Sequence, residues 1–284
     1  MTPNSHLLAG RISVETGLAF TGTEGQDRDG SRWLELRPAG HPAGQTFSLR
    51  TVVGWRRIEV IFRPDNFAGD LVKTMGLTGE VGRRTFRTVL DTCREAGAEI
   101  SLSVNGVDRE PDDHALWATP WRSLDLAIRR GMLAINEGDA DADMREIELW
   151  TSRVAVAILA LLPLEAEDEE SVEFTPEVEG LPEGAKIRIE VNRYERDRRN
   201  RAAAIVIHGY LCKACGVDMG KRYGPKAAGL IEIHHVKPVS EIGSGYVIDP
   251  RSDLVPLCPN CHSVAHRRSP PFSVEELCDM QRHP

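Results

Sequence analysis

In the first 164 residues, apolar and polar positions alternate in four short runs: 32–36 (RWLEL), 57–62 (RIEVIF), 98–104 (AEISLSV) and 123–128 (SLDLAI). A period of two puts every second side chain on one face of an extended chain, so each run predicts a half-buried strand. Residues 81–96 (VGRRTFRTVLDTCREA) change the period: Phe86, Val89, Leu90 and Cys93 recur at helical spacing. Residues 146–162 predict a second, strongly apolar helix. The fold class expected for residues 1–164 is therefore mixed α+β. No apolar run approaches the ~20 residues that span a bilayer, so no membrane partner is expected. The longest run, 154–164, reads as core packing or, alternatively, as a dimer interface.

The periodicity stops at residues 165–183 (EAEDEESVEFTPEVEGLPE), which are acidic, contain two prolines and carry no apolar repeat. This reads as a solvated linker, placed at 165–184, between a first domain at 1–164 and a second at 185–284. A charged loop within one domain is the other reading. Length agrees with the division, since 284 residues suit two domains better than one. Net charge is −8, which alone argues against nucleic acid, but the charge is uneven. Residues 165–183 hold nine acidic side chains and no basic one, whereas 185–268 hold 15 Lys/Arg against 8 Asp/Glu. A basic module thus follows an acidic hinge. The N-terminus shows no basic stretch leading into an apolar one, so a cytoplasmic protein is expected. All five tryptophans lie before the linker. They read as core, with a base-stacking pocket as the alternative use of one or two.

Four of the six cysteines form two C-x-x-C pairs, Cys212/Cys215 and Cys258/Cys261. Without an export signal this usage favours metal over disulfides. A single pair could be redox-active, but two pairs flanking a compact insert suit a closed tetrahedral Zn²⁺ with no position left for water. That Zn²⁺ would build the fold and do no chemistry. Cys93 and Cys278, on helix-like segments, read as buried thiols, and His208 as structural. Between the pairs, residues 230–238 (LIEIHHVKP) predict a strand with Glu232 and His234 on one face, ending at Pro238. For His234 and His235 to face one site, the strand must end or twist there. After a second strand at 253–257 (DLVPL), His262 and His266 stand four apart and share a helical face. Upstream, five arginines within residues 193–201 suit either a phosphate backbone or a solvated helix face with internal ion pairs.

The strings IEIHHVKPVSEIG, DPRSDLVPLCPNCHSVAHR and PPFSVEELCDM resemble the HNH (ββα-metal) endonucleases, especially restriction endonucleases of the McrA-like type. The resemblance covers about a third of the chain. It implies a C-terminal ββα-metal domain in which His235 is the general base, while His234 and His262 hold a catalytic divalent ion such as Mg²⁺ or Mn²⁺. His266 becomes a third ligand or a packing residue. Asp253 stands where the family commonly has the asparagine that orients the base, and a carboxylate can take that role. Arg196, Arg198, Arg199, Lys237, Arg267 and Arg268 become phosphate neighbours, each with ordinary surface cation as the other reading. The implied function is metal-dependent hydrolysis of phosphodiester bonds in double-stranded DNA, leaving a 5′-phosphate and a 3′-hydroxyl. By analogy the whole chain would be a modification-dependent restriction enzyme acting on foreign DNA, with the first domain reading modified bases. A homodimer follows if both strands are cut. Two rivals are a nuclease effector licensed by a protein- or ligand-sensing first domain, and a non-cleaving, zinc-stabilised DNA-binding protein. The intact histidines argue against the latter.

Overall fold

The computed structural model describes residues 4–41, 44–163, 198–237, 246–268 and 270–282. The chain starts with α1 (Ser5–Thr16), whose first turn is capped by the Asn4 side chain accepting from the Leu7 amide. Next comes an antiparallel meander of β1 (Phe20–Gln26), β2 (Arg32–Pro38), β3 (Phe47–Gly54) and β4 (Arg57–Pro64). Two helices, α2 (Gly69–Gly76) and α3 (Glu80–Glu95), lead to β5 (Glu99–Val104), β6 (Val107–Asp108) and β7 (Leu124–Gly131). The long α4 (Ala140–Leu161) follows. The seven strands form one antiparallel sheet in the order β1-β2-β3-β4-β7-β5-β6.

The four alternating runs fall on β2, β4, β5 and β7 to within a residue at their starts, and the helical spacing at 81–96 falls on α3, which ends at Glu95. Leu34, Leu36, Leu49, Ile58, Val60, Phe62, Leu126 and Ile128 line one face of the sheet and pack with α1, α3 and α4 in a single core. Burial of Phe86, Val89, Leu90 and Cys93 turns the apolar stripe of α3 inward. In α4 the run Val154–Leu161 is buried throughout, which assigns it to core packing and not to a subunit interface. One polar tie joins the layers: the hydroxyls of Thr51 on β3 and Thr151 on α4 lie 2.7 Å apart, both buried. Among the described residues no helix is long and apolar enough to cross a membrane.

Tryptophan placement departs in part from the core expectation. Trp121 and Trp150 are buried, Trp33 and Trp117 half-buried, and Trp55, at the β3–β4 turn, is 75% exposed. It sits in a two-residue turn, with Arg56 at φ 54° and its guanidinium 5.9 Å from the indole centroid.

The C-terminal part consists of α5 (Arg198–His208), α6 (Met219–Tyr223), β8 (Glu232–His235), β9 (Leu254–Leu257), α7 (Pro259–Ala265) and α8 (Val274–Arg282). Strands β8 and β9 pair antiparallel and α7 packs on both, giving a ββα unit. Helix α5 serves two cores. Ala202, Ala203 and Val206 join the large N-terminal core, while Ala204 and Ile205 join small clusters with Leu254 and Leu257. The linker read at 165–184, Arg196 and Pro238 lie outside the described residues. Cys278 departs from its expected burial: it is half-exposed, and its thiol donates to the Ala214 carbonyl at 3.3 Å, beside the first cysteine pair.

Candidate metal centres and active site

The first cysteine pair sits on a tight turn closed by the Gly216 amide donating to the Cys212 carbonyl at 2.8 Å. Gly216 takes φ 69°, the left-handed conformation that turns the chain back so both thiols face one way. The second pair straddles a helix start: Cys258 is the N-cap of α7, Pro259 fixes its first turn, and Cys261 follows on the helix. The Lys213 amide donates to the Pro256 carbonyl at 2.9 Å and docks the turn against β9. All four sulfurs thereby lie within 4.8 Å of one another, and Cys215 Sγ is 3.7 Å from Cys258 Sγ. That separation is far beyond a disulfide and matches the ~3.8 Å edge of a tetrahedron with metal–sulfur bonds of about 2.3 Å. The cysteines are not disulfide-bonded. Burial pushes the Cys212 thiol up, but amides of Cys258, Cys215 and Ala214 outweigh it and bring it to about 7. Burial raises Cys215 and Cys261. Four sulfurs so crowded can all be thiolates only when a cation shares them, so the donor set fits Zn²⁺.

The second cluster lies on the same ββα frame. Alternation along β8 turns Glu232 and His234 to the side where α7 presents His262, with His266 one turn on at the helix end. The rings of His234, His262 and His266 stand 4.7 to 5.4 Å apart, edge to face, and one nitrogen of each lies within 4.8 Å of the others. His262 Nδ1 is 2.5 Å from Glu232 Oε2. Its Nε2 is buried and has no hydrogen-bond partner among the described residues. A carboxylate on one ring nitrogen fixes the tautomer and leaves the other as a lone-pair donor, the arrangement typical of histidines that ligate metals. These three histidines therefore fit a divalent ion, and unlike the four cysteines they leave coordination positions open.

His235 ends β8, and the chain bends at Val236 and Lys237. It pairs with Leu254 on the last rung of β8, and it is buried. The next rung brings in Asp253: the Val236 amide donates to its carbonyl at 2.8 Å. Asp253 is buried too, and its Oδ2 accepts from Tyr246 Oη and from the Asp249 amide, both at 2.8 Å. The bond to Asp253 pushes the Tyr246 hydroxyl above its ordinary value.

Among the basic residues, Arg198 donates to the Gly17 carbonyl at 3.3 Å and Arg199 to the Leu162 carbonyl at 2.7 Å, past the end of α4. Both guanidinium groups thus serve backbone carbonyls of the N-terminal part. Arg268 makes two bonds to Glu276 and lies over the Phe272 ring. Lys237 and Arg267 are exposed near the histidines in sequence. His208 Nε2 lies 3.1 Å from the Pro250 carbonyl. Asn260, on the first turn of α7, is exposed. Three participants carried no role in the sequence reading: Glu232 as partner of His262, the Tyr246 hydroxyl, and Arg251. Only for Glu232 was there a signal, its two-residue spacing from His234.

No solved structure matches the chain. The chain is 34% identical over 103 residues to the type IV methyl-directed restriction enzyme EcoKMcrA of Escherichia coli (strain K12), covering 35% of this chain. The match spans 34% of that relative's length, about a third. Residues 212–268, which hold both ligand clusters, His235 and Asp253, match the family model of the HNH endonuclease.

Proposed function

We propose that the protein is a restriction-type DNA endonuclease that uses a divalent metal ion and is directed by DNA modification. The observation that carries the chemistry is the convergence of His234, His262 and His266 on the same short hairpin that carries buried His235 and Asp253. A divalent ion held by these three histidines would supply Lewis-acid stabilisation of the charge that develops on the scissile phosphate and leaving oxygen. His235 takes the proton from the attacking water at a ring nitrogen. Asp253, fixed through Oδ2 by Tyr246 and the Asp249 amide, orients that imidazole. Glu232 holds the His262 ring, and Lys237 and Arg267 offer exposed charge for the flanking phosphates. The four cysteines would hold a structural Zn²⁺, which would keep the turn and the start of α7 in register. Target choice is assigned to the N-terminal sheet and helices, which lie outside the residues that match the family model. Support for modification dependence comes from the methyl-directed restriction activity of the McrA relative.

The test is digestion of matched DNAs, unmodified, 5-methylated, 5-hydroxymethylated and phosphorothioated, with Mg²⁺ or Mn²⁺. Cleavage restricted to one modified substrate is expected, and equal cleavage of all four ends the modification-directed reading. His235→Ala is expected to lower cleavage by at least ~100-fold with zinc content unchanged. Retained activity would reassign the base.

A further inference from the structure

Asp253 lies at the end of a short segment, residues 247–253, that the N-terminal part grips directly. Arg84 Nη1 on α3 donates to the Val247 carbonyl at 2.7 Å. Arg251 Nη1 donates to both carboxylate oxygens of Glu95, at 2.7 and 2.9 Å, and its Nη2 to Thr92 Oγ1 at 3.1 Å. Arg84, Thr92 and Glu95 are spaced eight and three apart, so they share a face of α3, while Phe86, Val89, Leu90 and Cys93 face the core. Inside the segment the Arg251 amide donates to Asp249 Oδ1, and the Asp253 amide to the Asp249 carbonyl, each at 2.9 Å. The Asp249 amide returns to Asp253 Oδ2 at 2.8 Å, and Ile248 is buried against Ala204 and Leu254. An unbroken run of directed bonds thus connects α3 to the Asp253 carboxylate.

We propose that α3 is a positioning element of the nuclease site: Arg84, Thr92 and Glu95 act through Val247 and Arg251 to fix the segment that presents Asp253 to His235. This rests on the endonuclease reading and adds that the N-terminal part sets the rate of cleavage as well as the target. The Glu95–Arg251 pair is substantially exposed, 61% and 39% at the side chains. Such pairs contribute little to global stability, so its loss registers in the order of the segment more than in unfolding.

The experiment uses full-length Glu95→Arg, Arg251→Glu and the double exchange, with Arg84→Ala as an independent variant. Cleavage is read on supercoiled plasmid DNA, unmodified and cytosine-5-methylated, with Mn²⁺; amide hydrogen exchange is read over residues 246–254. Each single reversal is expected to lower kcat by about 5- to 20-fold with KM for DNA within about twofold, and to speed exchange in the segment by about tenfold. The double exchange is expected to recover most of both effects, and Arg84→Ala to show a smaller loss of the same kind. Unchanged exchange over 246–254 in Glu95→Arg and Arg84→Ala overturns the proposal, as does a double exchange no better than the singles. If the unaltered protein cuts neither plasmid, the 5-hydroxymethylated and phosphorothioated DNAs are added; failure on all four ends the endonuclease reading, and the exchange measurement alone decides whether α3 holds the segment.

Discussion

The two parts of the molecule reach a folded state by different physical means. The N-terminal part closes seven strands and four helices over one continuous apolar core. The C-terminal clusters, among the described residues, hold eight and three buried apolar side chains, and three of the eight are cysteines. A core that small supplies little net stability, and small units of this kind are commonly held by metal. The contrast teaches where the C-terminal part would get its rigidity: a metal ion held by Cys212, Cys215, Cys258 and Cys261 would replace the burial that organises the sheet.

The sharpest way to break this comparison is Cys258→Ser. It is expected to remove stoichiometric zinc and several kcal/mol from the C-terminal part, given that structural zinc binding is folding free energy of order 10 kcal/mol in small domains. Because all five tryptophans precede residue 151, tryptophan fluorescence reports on the N-terminal part alone. That signal is expected to keep its unfolding transition while metal analysis shows zinc lost. Coincident collapse of both would mean that the two parts do not differ as argued.

A middle-sized effect separates the closed cluster from the open one. Glu232→Gln is expected to weaken Mn²⁺ binding at the histidines by about 10- to 100-fold and leave zinc content unchanged. Calorimetric Mn²⁺ titration gives the answer, and an unaltered affinity would show that the Glu232–His262 contact does not tune the ligand. The smallest effect lies where the parts meet. Burial pushes the half-buried Glu15 carboxyl from 4.5 up to about 7; a Ser152 hydroxyl lowers it, Glu148 on α4 raises it, and Arg201 on α5 lowers it. Its folded form holds a proton that the unfolded chain has released between these values, so stability falls as pH rises from about 4.5 to 7. Glu15→Gln is expected to raise stability at pH 8 by about 1–2 kcal/mol, with the gain vanishing near pH 5. Thermal unfolding at the two pH values measures it, and a gain equal at both would reject the burial argument.

What could be read from sequence follows the same division. Strands β2, β4, β5 and β7 alternate cleanly, because one face meets the core and the other does not. Strand β3 was not read as a strand: its inward position 51 is a threonine paired to Thr151, so the apolar count breaks where a buried hydroxyl pair sits. Strand β1 (FTGTEGQ) looks like a loop, yet Gly22 is there because α1 lies so close that a Cβ would come within 2.3 Å of the Ser5 carbonyl oxygen. In the site, ligand-bearing residues were legible because ligation demands residue type and spacing together. Residues that hold the ligands and Asp253 were not, since contacts such as Glu95–Arg251 join positions 156 apart, and nothing in either segment announces the other.

Helix α5 carries a consequence for how such chains can be recombined. Ala202, Ala203 and Val206 are cut to fit α3 and α4 on one side, while Ala204 and Ile205 fit the C-terminal hairpin on the other. A nuclease half transplanted at the acidic segment onto a foreign recognition part would arrive with an apolar helix face matched to nothing. The natural unit of exchange is therefore the nuclease together with the α3–α4 surface that seats it, and a graft that ignores this must redesign Ala202, Ala203 and Val206 for its new host.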